Sequence, residues 1–280
     1  MALWTETASG RLARHQERRA GIDAARLRAL AARVLPGLLF CALLAAAWQA
    51  MAIRSASPLV PDLYAIGDEL KLILLSGEAY RQIGATLGRI VLGLLLGFVV
   101  ALAVGLASAR NRFARSFFEP ALLLGLTVPG LVWALLCVIW FGLSLKTSVV
   151  AIALGIAPAL AVSISQGIVA VDPQLVEAAH VYRLRFWERL RYLWLPAILP
   201  FLMSGMRLAF SLAWKVVVLV EVFGLSSGVG YALNTGFISQ NVAAVVAWTL
   251  AFSVVVAAIE YGLFQTVERR LTRWKRKSLV

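Results

Sequence analysis

Residues 84–109 read GATLGRIVLGLLLGFVVALAVGLASA, a continuous apolar run whose one charge is Arg89. A helix rises about 1.5 Å per residue, so about 20 apolar residues cross the roughly 30 Å hydrocarbon core of a bilayer. Within that core every backbone N–H and C=O needs an internal partner, and only helices and closed barrels supply one. The run lacks the alternating pattern of a barrel strand, which leaves the helix.

Five more apolar windows lie near 34–53, 118–141, 147–171, 193–220 and 242–264. Each is near or above spanning length, so the expected fold is an all-α integral membrane protein with about six spans. Composition agrees: 61% of the 280 residues are hydrophobic and 15% charged, against about half and about a quarter in soluble domains. Six spans leave little chain for a soluble catalytic domain. The expected organisation is a basic N-terminal tail (1–33), a transmembrane domain (34–264) and a basic C-terminal tail (265–280).

In the first thirty residues Arg11, Arg14, Arg18, Arg19, Arg26 and Arg28 are spread through a polar stretch without an apolar run, so no cleavable leader is expected. Leu12, Ile22, Leu27 and Leu30 form a thin apolar stripe, compatible with a helix on the membrane surface or with a disordered tail.

The cations set an orientation. Seven Arg precede the first window, Arg110, Arg112 and Arg115 follow the second, Arg183, Arg185, Arg189 and Arg191 precede the fifth, and six Lys or Arg close the chain. The alternate segments carry only Arg54, Lys71, Arg81 and Lys146. Because Lys and Arg accumulate in cytoplasmic loops, both termini and segments 110–117 and 172–192 are expected inside, and 55–83, 142–146 and 221–241 outside. This topology explains the net charge of +13, and no groove-reading or base-stacking motif points to nucleic acid.

Cys41 and Cys137 sit in apolar runs with no His, Cys or carboxylate close by, and read as packing residues with no metal site. The two histidines, His15 and His180, both fall on the cytoplasmic side, so an enzyme buried in the membrane finds no convergent catalytic groups. Pro36, Pro129, Pro158, Pro196 and Pro200 in or beside the spans, with Gly93 and Gly97 in a small-xxx-small arrangement, indicate kinks and close helix packing.

Residues 171–200 read VDPQLVEAAHVYRLRFWERLRYLWLPAILP, too charged for a lipid-facing span and too rich in aromatic and aliphatic residues for a plain linker. Asp172 before Pro173 is an N-cap and first-turn signal for a short amphipathic helix carrying Val176, Glu177, Ala179, His180 and Val181. A second turn runs through Phe186, Trp187 and Leu190. Such an exposed apolar element needs either a partner's groove or the membrane surface to cover it.

Glu177-Ala178-Ala179, with Leu195-Pro196 following, resembles the EAA loop of permease subunits of bacterial ABC importers. The resemblance covers about residues 58–274, through ATLGRIVLG (85–93), PGLVWALLCVIWFG (129–142), GMRLAFSLAW (205–214) and RRLTRW (269–274), and is to the nitrate, sulfonate, taurine and bicarbonate branch. It implies a type I importer permease fold in the bacterial inner membrane. It also implies two ABC ATPase subunits that bind ATP and Mg, a second and identical permease subunit, and a periplasmic or lipid-anchored substrate-binding protein. By the same resemblance Glu177, Ala178, Ala179, His180, Arg183, Phe186, Leu195 and Pro196 are ATPase-coupling residues. The family usually has Gly six residues after the Glu, where this chain has Arg183. Either the turn is redrawn, or Arg183 keeps a helical backbone and offers its guanidinium to the ATPase; the second is the expectation. Gly142-Leu-Ser-Leu-Lys146-Thr147 lacks the Gly directly before the Lys that a phosphate-binding loop requires, so no ATP or other cofactor is expected on this chain itself.

Charges inside spans are costly and mark candidate functional sites. Arg89 and Glu260 lie near span ends, where snorkelling or pairing between subunits would accommodate them. Arg207, Ser211 and Lys215, four residues apart, share one helical sector and form a candidate translocation stripe for an anionic or polar solute. The competing reading has Arg207 cap backbone carbonyls or pair with Glu221 or Glu260. By the resemblance, the expected function is translocation of a small anionic solute driven by partner ATPases, the alternative being a secondary transporter or channel that needs no partner.

Overall fold

The computed structural model describes residues 35–55 and 59–264, with isolated positions 32, 57 and 266. The basic tails, with the Leu12 to Leu30 stripe and the RRLTRW segment, lie outside the described residues. Helices account for the secondary structure of the described residues, and no strand occurs among them.

The chain divides at Ala65 into two compact units. In the first, α1 (Leu35–Ser55) is long and apolar enough to cross a membrane. Trp48 Nε1 donates to Pro61 O at 2.9 Å, and Leu63 N donates to Gln49 Oε1 at 2.9 Å, folding the following segment back along the helix. That segment leads into α2 (Leu63–Leu75).

The second unit holds α3 (Glu78–Arg110), α4 (Arg112–Thr127), α5 (Gly130–Phe141), α6 (Leu145–Val169), α7 (Pro173–Val181), α8 (Phe186–Arg189), α9 (Leu195–Gly224), α10 (Val229–Ile238) and α11 (Val242–Ala258). A π-helical turn, Leu190–Trp194, joins α8 to α9, and another, Ile259–Phe264, follows α11. Among the described residues four helices are long and apolar enough to cross a membrane alone. Two bent pairs, α4 with α5 and α8–α9 with α10, raise the number to as many as six.

The core runs along α6, where Ala151, Ile152, Ile156 and Leu160 are fully enclosed. Helix α3 meets it through glycines: a Cβ at Gly93 would stand 2.6 Å from Ile152, and one at Gly97 2.6 Å from Ile156. With little hydrophobic drive between helices in lipid, small residues that let backbones approach hold such a pair by dispersion. Val217 and Val220 of α9 close the core from the other side.

The helix ends differ from expectation in three places. The window 118–141 is two helices meeting at 100°, because Pro129 holds Val128 extended and breaks the ladder. The segment 110–117 shrinks to Asn111, whose side chain accepts from Phe113 N at 2.9 Å and starts α4 at once. The segment 221–241 is largely helical, since α9 continues to Gly224 and α10 follows after a short turn.

Candidate functional site

The segment 172–196 is built from local capping. The Asp172 carboxylate accepts from Gln174 N at 2.8 Å with Pro173 in the first turn, and this starts α7. Ala179 faces inward at 5% exposure, Ala178 is half-buried, and Glu177 and His180 point outward. His180 Nδ1 is 2.8 Å from Val176 O, so that nitrogen carries the proton, and Nε2 is left to accept from Arg189 Nη1 at 3.1 Å.

The end of α7 corrects the expected backbone at Arg183. Arg183 N donates to His180 O and Leu184 N to Ala179 O, both at 3.0 Å, which is the Schellman arrangement. Its C′ position calls for a left-handed residue, and Arg183 has φ of 50° rather than a helical value. The turn is thus the one a glycine would make, formed here by an arginine.

Glu188 Oε2 then accepts from Arg185 N at 2.7 Å and starts α8. Phe186 and Trp187 meet edge to face with centroids 5.6 Å apart, and with Tyr182 they stand exposed. Leu195 N donates to Leu190 O, one residue farther back than in an α-helix, and Pro196 next in line has no N–H. The Leu195-Pro196 pair thus makes the π turn through which the segment enters α9. Leu195 is exposed and Pro196 half-buried.

Along α9, Arg207 Nε lies 3.2 Å from Glu260 Oε1 with both side chains about one-third exposed. Of the two acids proposed from sequence, Glu260 is thus a partner of Arg207. Ser211 is half-buried, and Lys215 is exposed with Nζ 5.6 Å from the Trp214 ring centre. The continuous helix keeps these three on one face, while α7 and α8 occupy a separate part of the chain. Glu260 sits in the second π turn, engaged by Arg207 rather than snorkelling.

The larger correction concerns Arg89, which is 9% exposed and does not snorkel. Its Nη1 lies 2.5 Å from Oε1 of Glu221, a carboxylate with no exposure at all. The Thr86 hydroxyl is 2.9 Å from both Glu221 oxygens, and Gly230 N donates to Oε2 at 2.9 Å. Arg89 also donates to Ser227 O at 2.8 Å and to Ser227 Oγ at 2.6 Å. Gln82 Oε1 accepts from Gly228 N at 2.6 Å and Thr86 Oγ1 from Val229 N at 2.9 Å. Sequence reasoning missed this cluster. The available signal was a cation inside one apolar run and an acid directly at the end of another, each too costly to bury alone.

A bundle of long apolar helices with an exposed helix-turn-helix feeding the long helix α9 has the build of a polytopic integral membrane protein. The chain belongs to the family described as binding-protein-dependent transport system inner membrane component, whose model matches residues 83–273. It is 31% identical over 244 residues to the protein of Bacillus subtilis (strain 168) named aliphatic sulfonates transport permease protein SsuC, covering 86% of this chain and 88% of that one. It is 26% identical over 235 residues to the taurine transport system permease protein TauC of Escherichia coli (strain K12), covering 81% and 84%. The fold matches a chain of the inward-facing MetNI methionine ABC transporter with a TM-score of 0.59 at 18% identity, covering 68% of this chain and 94% of that one. The fold is thus that of a type I ABC importer permease.

Proposed function

We propose that this chain is the membrane-spanning subunit of an ATP-driven importer for a small sulfonate-type anion, coupled to two ATPase subunits through residues 172–196. The observation that carries the proposal is the segment α7–α8. Its backbone is fixed by its own caps, while Tyr182, Phe186 and Trp187 have nothing over them among the described residues. A rigid element with bare aromatic side chains suits insertion into another protein's groove. Glu177 and His180 lie on the exposed side, and Ala179 packs inward where a larger side chain would push the helix away.

In this reading both termini are cytoplasmic, a second copy completes the path, and a binding protein delivers the solute from outside. ATP and Mg are held by the partner ATPases. The names of the sulfonate and taurine relatives support the solute class, and Lys215 with Arg207 and Ser211 supplies positive and polar groups along α9.

Glu177→Lys tests the docking. The substituted chain is expected to insert normally yet to co-purify with less ATPase subunit and show less stimulated ATP hydrolysis. Full coupling in that variant would remove 172–196 from the interface. Uptake of radiolabelled taurine and ethanesulfonate by the reconstituted system, with methionine as control, tests the solute class.

A further inference from the structure

The buried cluster described above binds one end of a helix to two others. The turn Ser226–Gly230 carries three successive amides, and each donates to a side chain from another helix: Gly228 N to Gln82 and Val229 N to Thr86 of α3, and Gly230 N to Glu221 of α9. Those donors open α10, which has no side-chain cap of its own. Borrowed side chains therefore satisfy amides that a helix start leaves without partners, and the carboxylate faces the positive end of the helix dipole. Gln82, Thr86 and Arg89 recur at i, i+4 and i+7, one face of α3. Gly228 at φ of 103° and Gly230 wrap the carboxylate so closely that a Cβ at either position would collide with Glu221. Beyond the far end of α10, Asn241, the N-cap of α11, donates from Nδ2 to Glu69 Oε1 of α2 at 2.7 Å.

The opposite end of α9 is held differently. Among the described residues, the side-chain hydrogen bonds of α7, α8 and their turn join residues no more than nine positions apart. From Leu195, α9 runs unbroken to Glu221, about 39 Å at the helical rise.

We infer that Glu221 and Arg89 are positioning residues of the transport cycle, a latch that makes α10 and the outer part of α3 travel with α9 as one body. A displacement entering α9 from the coupling segment is delivered through Glu221 to α10 without any bond of the latch opening. This inference rests on the proposed coupling of residues 172–196 to an ATPase.

Hydrogen exchange read by mass spectrometry tests it on the full chain assembled with its ATPase in nanodiscs, without nucleotide and trapped with ATP and vanadate. Amide exchange reports local opening directly. Peptides covering 226–238 are expected to keep their protection within twofold between the two states, while peptides covering 173–194 change. A tenfold or greater loss of protection at 226–238 in the trapped state means the latch opens, and overturns the inference. A silent 173–194 overturns the docking proposal instead, so the two failures are distinguishable.

Glu221→Gln keeps the shape and an oxygen for Gly230 N but removes the charge. It is expected to raise exchange at 226–238 at least tenfold while leaving 145–169 protected, and unchanged exchange at 226–238 also overturns the inference. Arg89→Lys, which retains the charge but loses the fork to Ser227, is expected to fall between. If Glu221→Gln does not insert, the native comparison decides alone.

Discussion

Arg89 Nη1 stands 2.5 Å from Glu221 Oε1, joining α3 to α9 across 132 positions of sequence with the carboxylate fully enclosed and the arginine nearly so. Two ions cannot be taken out of water cheaply, and their attraction offsets the cost only when the remaining hydrogen-bonding positions are filled. Here Thr86, Ser227 and Gly230 fill them.

Removing one partner is therefore expected to destabilise far more than losing an ordinary surface pair. Arg89→Met leaves the Glu221 carboxylate buried beside Thr86 and Gly230 alone, at a cost of about 3–5 kcal/mol. Adding Glu221→Gln to Arg89→Met is expected to recover part of that loss, because the buried charge is gone while Gly230 N keeps an acceptor. Thermal unfolding in detergent of the two single variants and the double variant checks this; strictly additive losses would count against the pairing.

Arg183 supplies a test of opposite sign. A left-handed backbone costs a non-glycine residue about 1–2 kcal/mol, less any entropy that glycine adds to the unfolded chain. Arg183→Gly is expected to leave ATPase co-purification intact and to slow exchange at Arg183 N and Leu184 N, the two amides of the Schellman turn. Arg183→Val, β-branched, is expected to do the reverse. Faster exchange in the glycine variant would show that the arginine side chain, not the turn, holds this corner.

These two sites mark where sequence reading succeeds and where it stops. The apolar runs and the Asp172-Pro173 start were legible because they depend on residues within a few positions of one another. The Leu195-Pro196 motif was legible as a pattern, although its physical consequence, a π turn, was not. The pairing of Arg89 with Glu221 was illegible because nothing local links positions so far apart: Arg89 alone looked like an anchor, and Glu221 like a partner of Arg207. The need for glycine at 228 and 230 arises from Glu221, a residue of another helix that they wrap, and so has no local signal. The sharp angle at Pro129 was half legible: proline announces a break but not whether the chain bends a little or turns by 100°.

The α3–α6 seam gives a packing prediction. A Cβ at Gly93 would lie 2.6 Å from Ile152, inside any allowed contact, and Ile152 is itself fully enclosed. Gly93→Leu is expected to force the helices apart, costing at least the roughly 1–3 kcal/mol of ordinary overpacking and lowering recovery of folded protein. Ile152→Ala added to it opens space on the facing helix and is expected to restore part of the yield, measured by size-exclusion profile. No restoration would mean that the α3 backbone itself rejects the side chain.

The last prediction separates the two cations of α9. Arg207 already faces a carboxylate, at 3.2 Å and about one-third exposed, where such a pair contributes about 0–1 kcal/mol to stability. Neutralising Arg207 alone leaves Glu260 as an added negative charge near the proposed path of an anion; neutralising both returns the local charge to its starting value. Arg207→Gln is therefore expected to lower taurine uptake, and Arg207→Gln with Glu260→Gln to bring much of it back. Among the described residues Lys215 has no carboxylate partner, only the face of Trp214 at 5.6 Å, so Lys215→Gln removes a charge that nothing cancels. Its loss of uptake is expected to persist when Glu260→Gln is added. Equal rescue of both variants by Glu260→Gln would mean that only the net charge of the region matters, and would reject a path in which Lys215 meets the solute directly.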